Sequence, residues 1–128
     1  MLDHARRTPN DECCGLLAGR DGVIAFTFPS SNVSPCPATS YEIAPSEIFH
    51  RIREMRSASL ELLGIYHSHP NGKNEPSPTD VARAYYPDAA YFILSPLPGA
   101  ERPVRAFFIR GGRVEELEIQ VVSDWGEK

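Results

Sequence analysis

The chain has 128 residues, 41% of them hydrophobic and 23% charged, which suits one ordinary globular core and leaves little room for a second. A formal net charge of −4 without a basic cluster argues against a nucleic-acid binder, and no apolar run approaches the ~20 residues needed to cross a bilayer. The opening stretch MLDHARRTPNDE lacks the apolar segment of a secretory signal, and three cysteines (Cys13, Cys14, Cys36) are too few and odd in number for a disulfide framework, so a reducing cytoplasm is expected.

In chain order, DHARRT reads as a short helix that ends before Pro9. CGLLAG is a buried strand, RDG a turn, and VIAFTF the returning strand of a hairpin. The proline-rich PSSNVSPCPATSYEIAP is loop, with a short extended piece around Tyr41 to Ile43. SEIFHRIREMRSA has helical spacing, with Ile48, Ile52 and Met55 on one side and Phe49 beside them. His50, Arg51 and Arg53 form its solvated basic side. LELLGIYHSH is a mostly continuous apolar run, as expected of a strand interior to a sheet. SPTDVARAYY reads as a helix whose Ser77 and Asp80 resemble a capping box. AAYFILS is another apolar strand. PVRAFFIR and RVEELEIQVV flank Gly111-Gly112 as a hairpin, with Val114, Leu117, Ile119 and Val121 as the apolar residues of the second strand. The tail SDWGEK is expected to fray. Together these elements predict an α/β (α+β) fold: one domain over residues 1–128, with a mixed twisted sheet flanked by helices.

The chemistry concentrates in GIYHSHPNGKNEPSPTD. His67 and His69 are one residue apart, so a regular strand would point both imidazoles to one face. Asp80 follows after a loop that can fold back and bring a carboxylate to the same place. Neutral imidazoles and a carboxylate are good zinc ligands, and three of them plus a water make a catalytic site. The spacing also admits a plainer reading, in which the histidines merely end a strand, Asp80 supports a helix N-terminus and Ser77 caps it. A working hydrolase would need a general base as well. Glu12, Glu42, Glu47, Glu61 and Glu75 all qualify on paper. Glu12 is favoured because it lies at the mouth of a buried strand, where burial tunes a carboxylate.

The run His67-Ser68-His69, seven residues, Ser77, two residues, Asp80 resembles the H-x-H-x(7)-S-x-x-D motif of the JAMM/MPN zinc metalloproteases. HARRTPNDECCGLLAG is similar to that family's opening segment, and the stretch from Gly64 to Ser95 looks like its short prokaryotic branch. The resemblance implies a cytidine-deaminase-like JAMM/MPN fold and one catalytic zinc ion held by His67, His69 and Asp80, with water as fourth ligand. It also implies Glu12 as general base and acid, and Ser77 as hydrogen-bond donor to the oxyanion.

The substrate implied is a ubiquitin-like, β-grasp sulfur-carrier protein, cut after its C-terminal Gly-Gly to release cysteine or a conjugated peptide. Its extended tail is expected to dock by adding a strand beside a sheet edge. A homodimer is left open. The N-terminal helix is short for the family, and the chain lacks room for the insertions by which eukaryotic relatives grip ubiquitin chains. Two alternatives stand beside this reading. One is a non-catalytic MPN-type binding module. The other is a deaminase-like zinc hydrolase, which the absence of H-x-E with P-C-x-x-C disfavours. Cys13 and Cys14 are expected to be small apolar residues of a buried strand, and Cys36 incidental.

Overall fold

The alternating and continuous apolar runs form six strands in one sheet. The structure, a computed structural model, describes residues 1–122; the tail SDWGEK lies outside the described residues. Helix α1 (Leu2–Arg7) precedes the hairpin β1 (Cys14–Arg20) and β2 (Val23–Ser30). A loop leads to α2 (Pro45–Ser57) and β3 (Glu61–Ser68). Then come α3 (Pro78–Ala82), β4 (Ala90–Leu94), and the hairpin β5 (Val104–Arg110) and β6 (Arg113–Leu117). Both hairpins turn through two residues of positive φ, Asp21-Gly22 and Gly111-Gly112, the geometry that matches the twist of paired strands.

The sheet order is β2-β1-β3-β4-β5-β6. Only β3 and β4 run parallel, and the other neighbours are antiparallel. A parallel pair needs a crossover, supplied here by the segment that contains α3. The side-chain period of two divides the strands between two cores. Cys14, Leu16, Ile65, Tyr91, Ile93 and Phe107 point to one face, where Met55 and Ile48 of α2 and Val81 of α3 cover them. Cys13, Leu17, Tyr66, Phe92, Leu94 and Ala106 point to the other face, under Leu2 and Ala5 of α1. Fully burying each large apolar side chain contributes roughly 1.5–3 kcal/mol, so the two faces together hold the sheet between its helices.

The Tyr66 ring of β3 packs over Gly15 of β1, and a Cβ at Gly15 would run into it. The Tyr66 hydroxyl reaches the His4 imidazole at 2.7 Å, which fastens α1 to the sheet.

Three expectations need correction. The second strand of the last hairpin stops at Leu117, the only one of its four named apolar residues that is even half-buried. Val114, on the outermost strand β6, is 46% exposed, and Ile119 and Val121, beyond the end of that strand, are 41% and 91% exposed. Phe49 is 66% exposed, turned away from the core that Met55 enters. α3 is shorter than its ten-residue pattern: it ends at Ala82, and the Tyr86 N–H is taken by the Tyr91 hydroxyl instead of by a further helical turn.

Candidate metal centre

β3 places His67 at its C-terminal end, fully buried, on the face covered by α2. The antiparallel register pairs Cys14 with His67. Beyond the strand ends the pairing continues: Ser68 N–H donates to the Cys13 carbonyl at 3.1 Å, and Cys13 N–H donates to Ser68 Oγ at 2.9 Å. One step further brings Glu12 opposite His69. Register thus joins residues far apart in sequence.

Asp80 arrives from the other side. Ser77 caps α3 by accepting from Asp80 N–H at 3.1 Å, and Ser77 N–H donates to Asp80 Oδ2 at 2.9 Å. This reciprocal capping box aims the same oxygen at both histidines. The three acceptor atoms form a tight triangle. His67 Nε2 and His69 Nε2 are 3.1 Å apart, and Asp80 Oδ2 lies 3.2 Å from the first and 3.0 Å from the second. Glu12 stands slightly back, within 4.8 Å of the two imidazoles. Of the acids considered from sequence, only Glu12 is buried; Glu42, Glu61 and Glu75 are exposed and Glu47 is half-exposed.

The electrostatics follow from burial. His67 is held below the usual imidazole value by desolvation, which outweighs its bond to Asp80. Desolvation also lowers His69, but the Asp80 carboxylate and the Lys73 carbonyl more than restore it, so the net direction is up. Burial opposes ionisation of Asp80, yet the two histidines hold its carboxyl well below the usual range. Glu12 is pushed up to about 7, chiefly by desolvation; His69 pulls it down and Asp80 pushes it further up.

The donor set fits a metal ion. His69 Nδ1 donates to the Lys73 carbonyl at 2.6 Å, which directs the Nε2 lone pair of the neutral ring into the triangle. There it would meet the lone pairs of Asp80 Oδ2, an arrangement that needs a proton or a cation between them. Two imidazole nitrogens and one carboxylate oxygen at this spacing match neighbouring ligands around zinc, whose bonds run about 2.0–2.2 Å. Glu12 Oε1 is buried with no hydrogen-bond partner among the described residues, free to meet water at such an ion.

A cavity of about 610 Å³ adjoins the triangle, with Asp80 in its wall. Ile48, Phe49 and Ile52 of α2 line one side, and Tyr85 and Tyr86 the other.

Residues 1–110 match the family model described as prokaryotic homologs of the JAB domain. The chain belongs to that family. Over 127 residues it is 35% identical to a CysO-cysteine peptidase of Mycobacterium tuberculosis, covering 98% of this chain and 86% of the relative. Over 102 residues it is 39% identical to a desampylase of Haloferax volcanii, covering 75% of this chain and 73% of that protein. A solution structure of a Desulfitobacterium hafniense protein superposes with a TM-score of 0.87 at 31% identity, covering 99% and 89% of the two chains. A JAMM structure, a metalloprotease-like zinc site in the proteasome and signalosome, superposes with a TM-score of 0.60 at 21% identity, covering 95% and 87%. This prokaryotic JAB chain therefore has the JAMM/MPN fold, and it is an enzyme of the peptidase class to which these relatives belong.

The structure brings Glu12, His67, His69, Ser77 and Asp80 into one neighbourhood. Sequence reasoning missed Asn32, Ser68 and the Lys73 carbonyl, and did not give Tyr41 a role. An Asn that follows two serines at a strand end signals a side-chain-to-backbone turn. Nothing in the sequence reveals which carbonyl His69 meets.

Proposed function

We propose that the protein is a zinc-dependent peptidase that hydrolyses the bond after the C-terminal Gly-Gly of a ubiquitin-like sulfur-carrier protein, releasing cysteine or a conjugated peptide. The observation that carries this reading is the triangle of His67 Nε2, His69 Nε2 and Asp80 Oδ2 beside the Glu12 carboxylate, whose Oε1 has no hydrogen-bond partner among the described residues. The names of the relatives, CysO-cysteine peptidase and desampylase, support the substrate class. One zinc ion held by His67, His69 and Asp80 would supply Lewis acidity, polarising the scissile carbonyl and acidifying water.

The chain's own groups do the rest. Glu12, with a carboxyl held near 7, both takes a proton and returns it at neutral pH, and so serves as base for water and acid for the leaving amine. Ser77 Oγ uses a lone pair to cap α3, which leaves its hydroxyl hydrogen free to donate to the oxyanion. One such donor contributes about 3 kcal/mol to the transition state. Asp80 and the Lys73 carbonyl keep His69 oriented.

The carrier's extended tail enters the cavity between α2 and the Tyr85–Tyr86 segment, beside Asp80. This placement is favoured over a sheet edge, because the outer strands β2 and β6 are separated from β3 by other strands. Glycines at the end of the tail let the scissile carbonyl approach the buried triangle.

The same reading takes residues 1–128 as one peptidase domain working in the cytoplasm, where Cys13, Cys14 and Cys36 stay free thiols. Among the described residues no helix is long and apolar enough to cross a membrane. The test is to incubate zinc-loaded protein with a sulfur carrier extended past Gly-Gly by cysteine or a short peptide, and to weigh the products. A cut directly after Gly-Gly is expected. Intact carrier with zinc bound would instead favour a non-catalytic binding module.

A further inference from the structure

The loop between β2 and α2 touches both halves of the centre, although none of its side chains takes part in the proposed chemistry. Glu12 precedes β1 and has no ladder partner, so other groups must satisfy its backbone. Its N–H donates to the Pro37 carbonyl at 2.7 Å, and its carbonyl accepts from Asn32 Nδ2 at 2.9 Å. Both partners belong to this one loop.

Asn32 is the hub. Its Nδ2 also donates to the Ser40 carbonyl at 3.0 Å, while its Oδ1 accepts from Ser34 N–H at 2.9 Å and Glu42 N–H at 3.1 Å. A single side-chain amide thus ties the start and the end of the loop to Glu12. The Glu12 side chain has no anchor of its own at Oε1 among the described residues. Its carboxylate is therefore aimed through the backbone.

The far end of the same loop meets His67. The Tyr41 ring stacks on the imidazole with centroids 4.3 Å apart and planes 21° apart. A metal-ligating histidine is ordinarily oriented by a hydrogen bond at its second nitrogen. His69 has one, to the Lys73 carbonyl, but His67 Nδ1 has none among the described residues. The aromatic face is what remains to fix the His67 ring. Tyr41 immediately precedes Glu42, whose N–H is held by Asn32.

We propose that the 31–44 loop is a clamp that sets the Glu12 carboxylate and the His67 ring relative to each other, with Asn32 and Tyr41 as its positioning residues. Asn32 acts on Glu12 through its Nδ2, so losing that donor alone slows turnover without weakening metal or substrate binding. Tyr41 acts through His67, so its loss weakens the metal. The kinetic part rests on the proposed peptidase activity; the other readouts do not.

The experiment compares Asn32→Ala, Asn32→Asp, Tyr41→Leu and Tyr41→Phe in the full chain. Amide hydrogen exchange, zinc affinity and cleavage of a carrier extended past Gly-Gly are measured for each. Asn32→Asp keeps the acceptor and loses both donations, so it serves as an isosteric second variant should Asn32→Ala fold poorly. Both Asn32 variants are expected to exchange the Glu12 amide at least about tenfold faster. Both should lower kcat at least about tenfold, since misplacement by about 1 Å is costly in rate, and Asn32→Asp, which keeps the acceptor for Glu42 N–H, should leave KM and zinc affinity within about twofold of the parent. Tyr41→Leu should weaken zinc about 10- to 100-fold, the range seen when groups supporting a ligand are lost, and Tyr41→Phe should restore it. Parental Glu12 exchange in the Asn32 variants, a change confined to KM, or parental zinc affinity in Tyr41→Leu would overturn the clamp. Zinc-loaded parent protein that leaves the carrier intact would overturn the peptidase reading instead, and exchange and zinc affinity would still decide the clamp.

Discussion

Glu12 carries most of the centre's character in a single carboxyl. Burial holds it near 7, well above an exposed glutamate, before any cation is bound. Its folded value exceeds its unfolded value of about 4.5, so folding favours the protonated form and the metal-free protein loses stability as pH rises from about 4.5 through 7. Glu12→Gln removes that ionisation. Chemical denaturation of metal-free protein should find the variant more stable at pH 8 by up to roughly 3 kcal/mol, because each pH unit between the folded and unfolded values is worth about 1.36 kcal/mol. At pH 4 the two proteins should be nearly equal. Asp80 has the opposite sign: its depressed carboxyl contributes stability that is present above its unfolded value and lost only in strong acid. His69 makes a separate prediction. Its raised value in the metal-free protein means that a proton occupies the triangle in mildly acidic solution, and zinc must displace it. Calorimetry in buffers of different ionisation enthalpy should show proton release on zinc binding at pH 6. Zinc binding at pH 6 without proton release would remove His69 from the ligand set.

At the scale of elements, the site depends on the β1–β3 register, and the Tyr66 ring, itself held by His4, packs over Gly15 within it. Gly15→Ala should cost about 1–3 kcal/mol in thermal or denaturant unfolding, the usual range for overpacking a core. A neutral effect would mean that the Tyr66 ring is free to move aside. Much at this scale was legible from sequence. The H-x-H pair at a strand end and the Ser77–Asp80 capping box follow from spacing within one short stretch. The pairing of Glu12 with His69 does not, because it is set by the β1–β3 register, which only the folded sheet defines. Periodicity misled after Leu117: Ile119 and Val121 continue the apolar spacing, but β6 has ended and both side chains are exposed. Phe49, next to Ile48 on α2, lies off the face that Met55 buries, and instead lines the cavity and is 66% exposed.

Over the whole molecule, two apolar cores hold a mixed sheet so that the one parallel pair among the described residues ends at the triangle of His67, His69 and Asp80. That agrees with the general tendency of ligands to sit beyond the carboxyl ends of parallel strands. The sequence pointed to α/β elements, which the fold contains, and to a single core, which the sheet instead divides into two apolar clusters, one on each face. It could not reveal the cavity between α2 and the Tyr85–Tyr86 segment, whose walls come from distant parts of the chain. Nor could it reveal the 31–44 loop as a structured element, because its order comes from side-chain amide bonds and not from a periodic pattern. The central claim is that a carboxylate far upstream completes a centre built from His67, His69 and Asp80. The most direct test is Glu12→Gln, assayed for zinc content and for cleavage of a carrier extended past Gly-Gly. The account predicts a full complement of zinc with turnover reduced at least about 100-fold, the lower end of what a general base supplies. Parental turnover, or loss of zinc in step with activity, would contradict it.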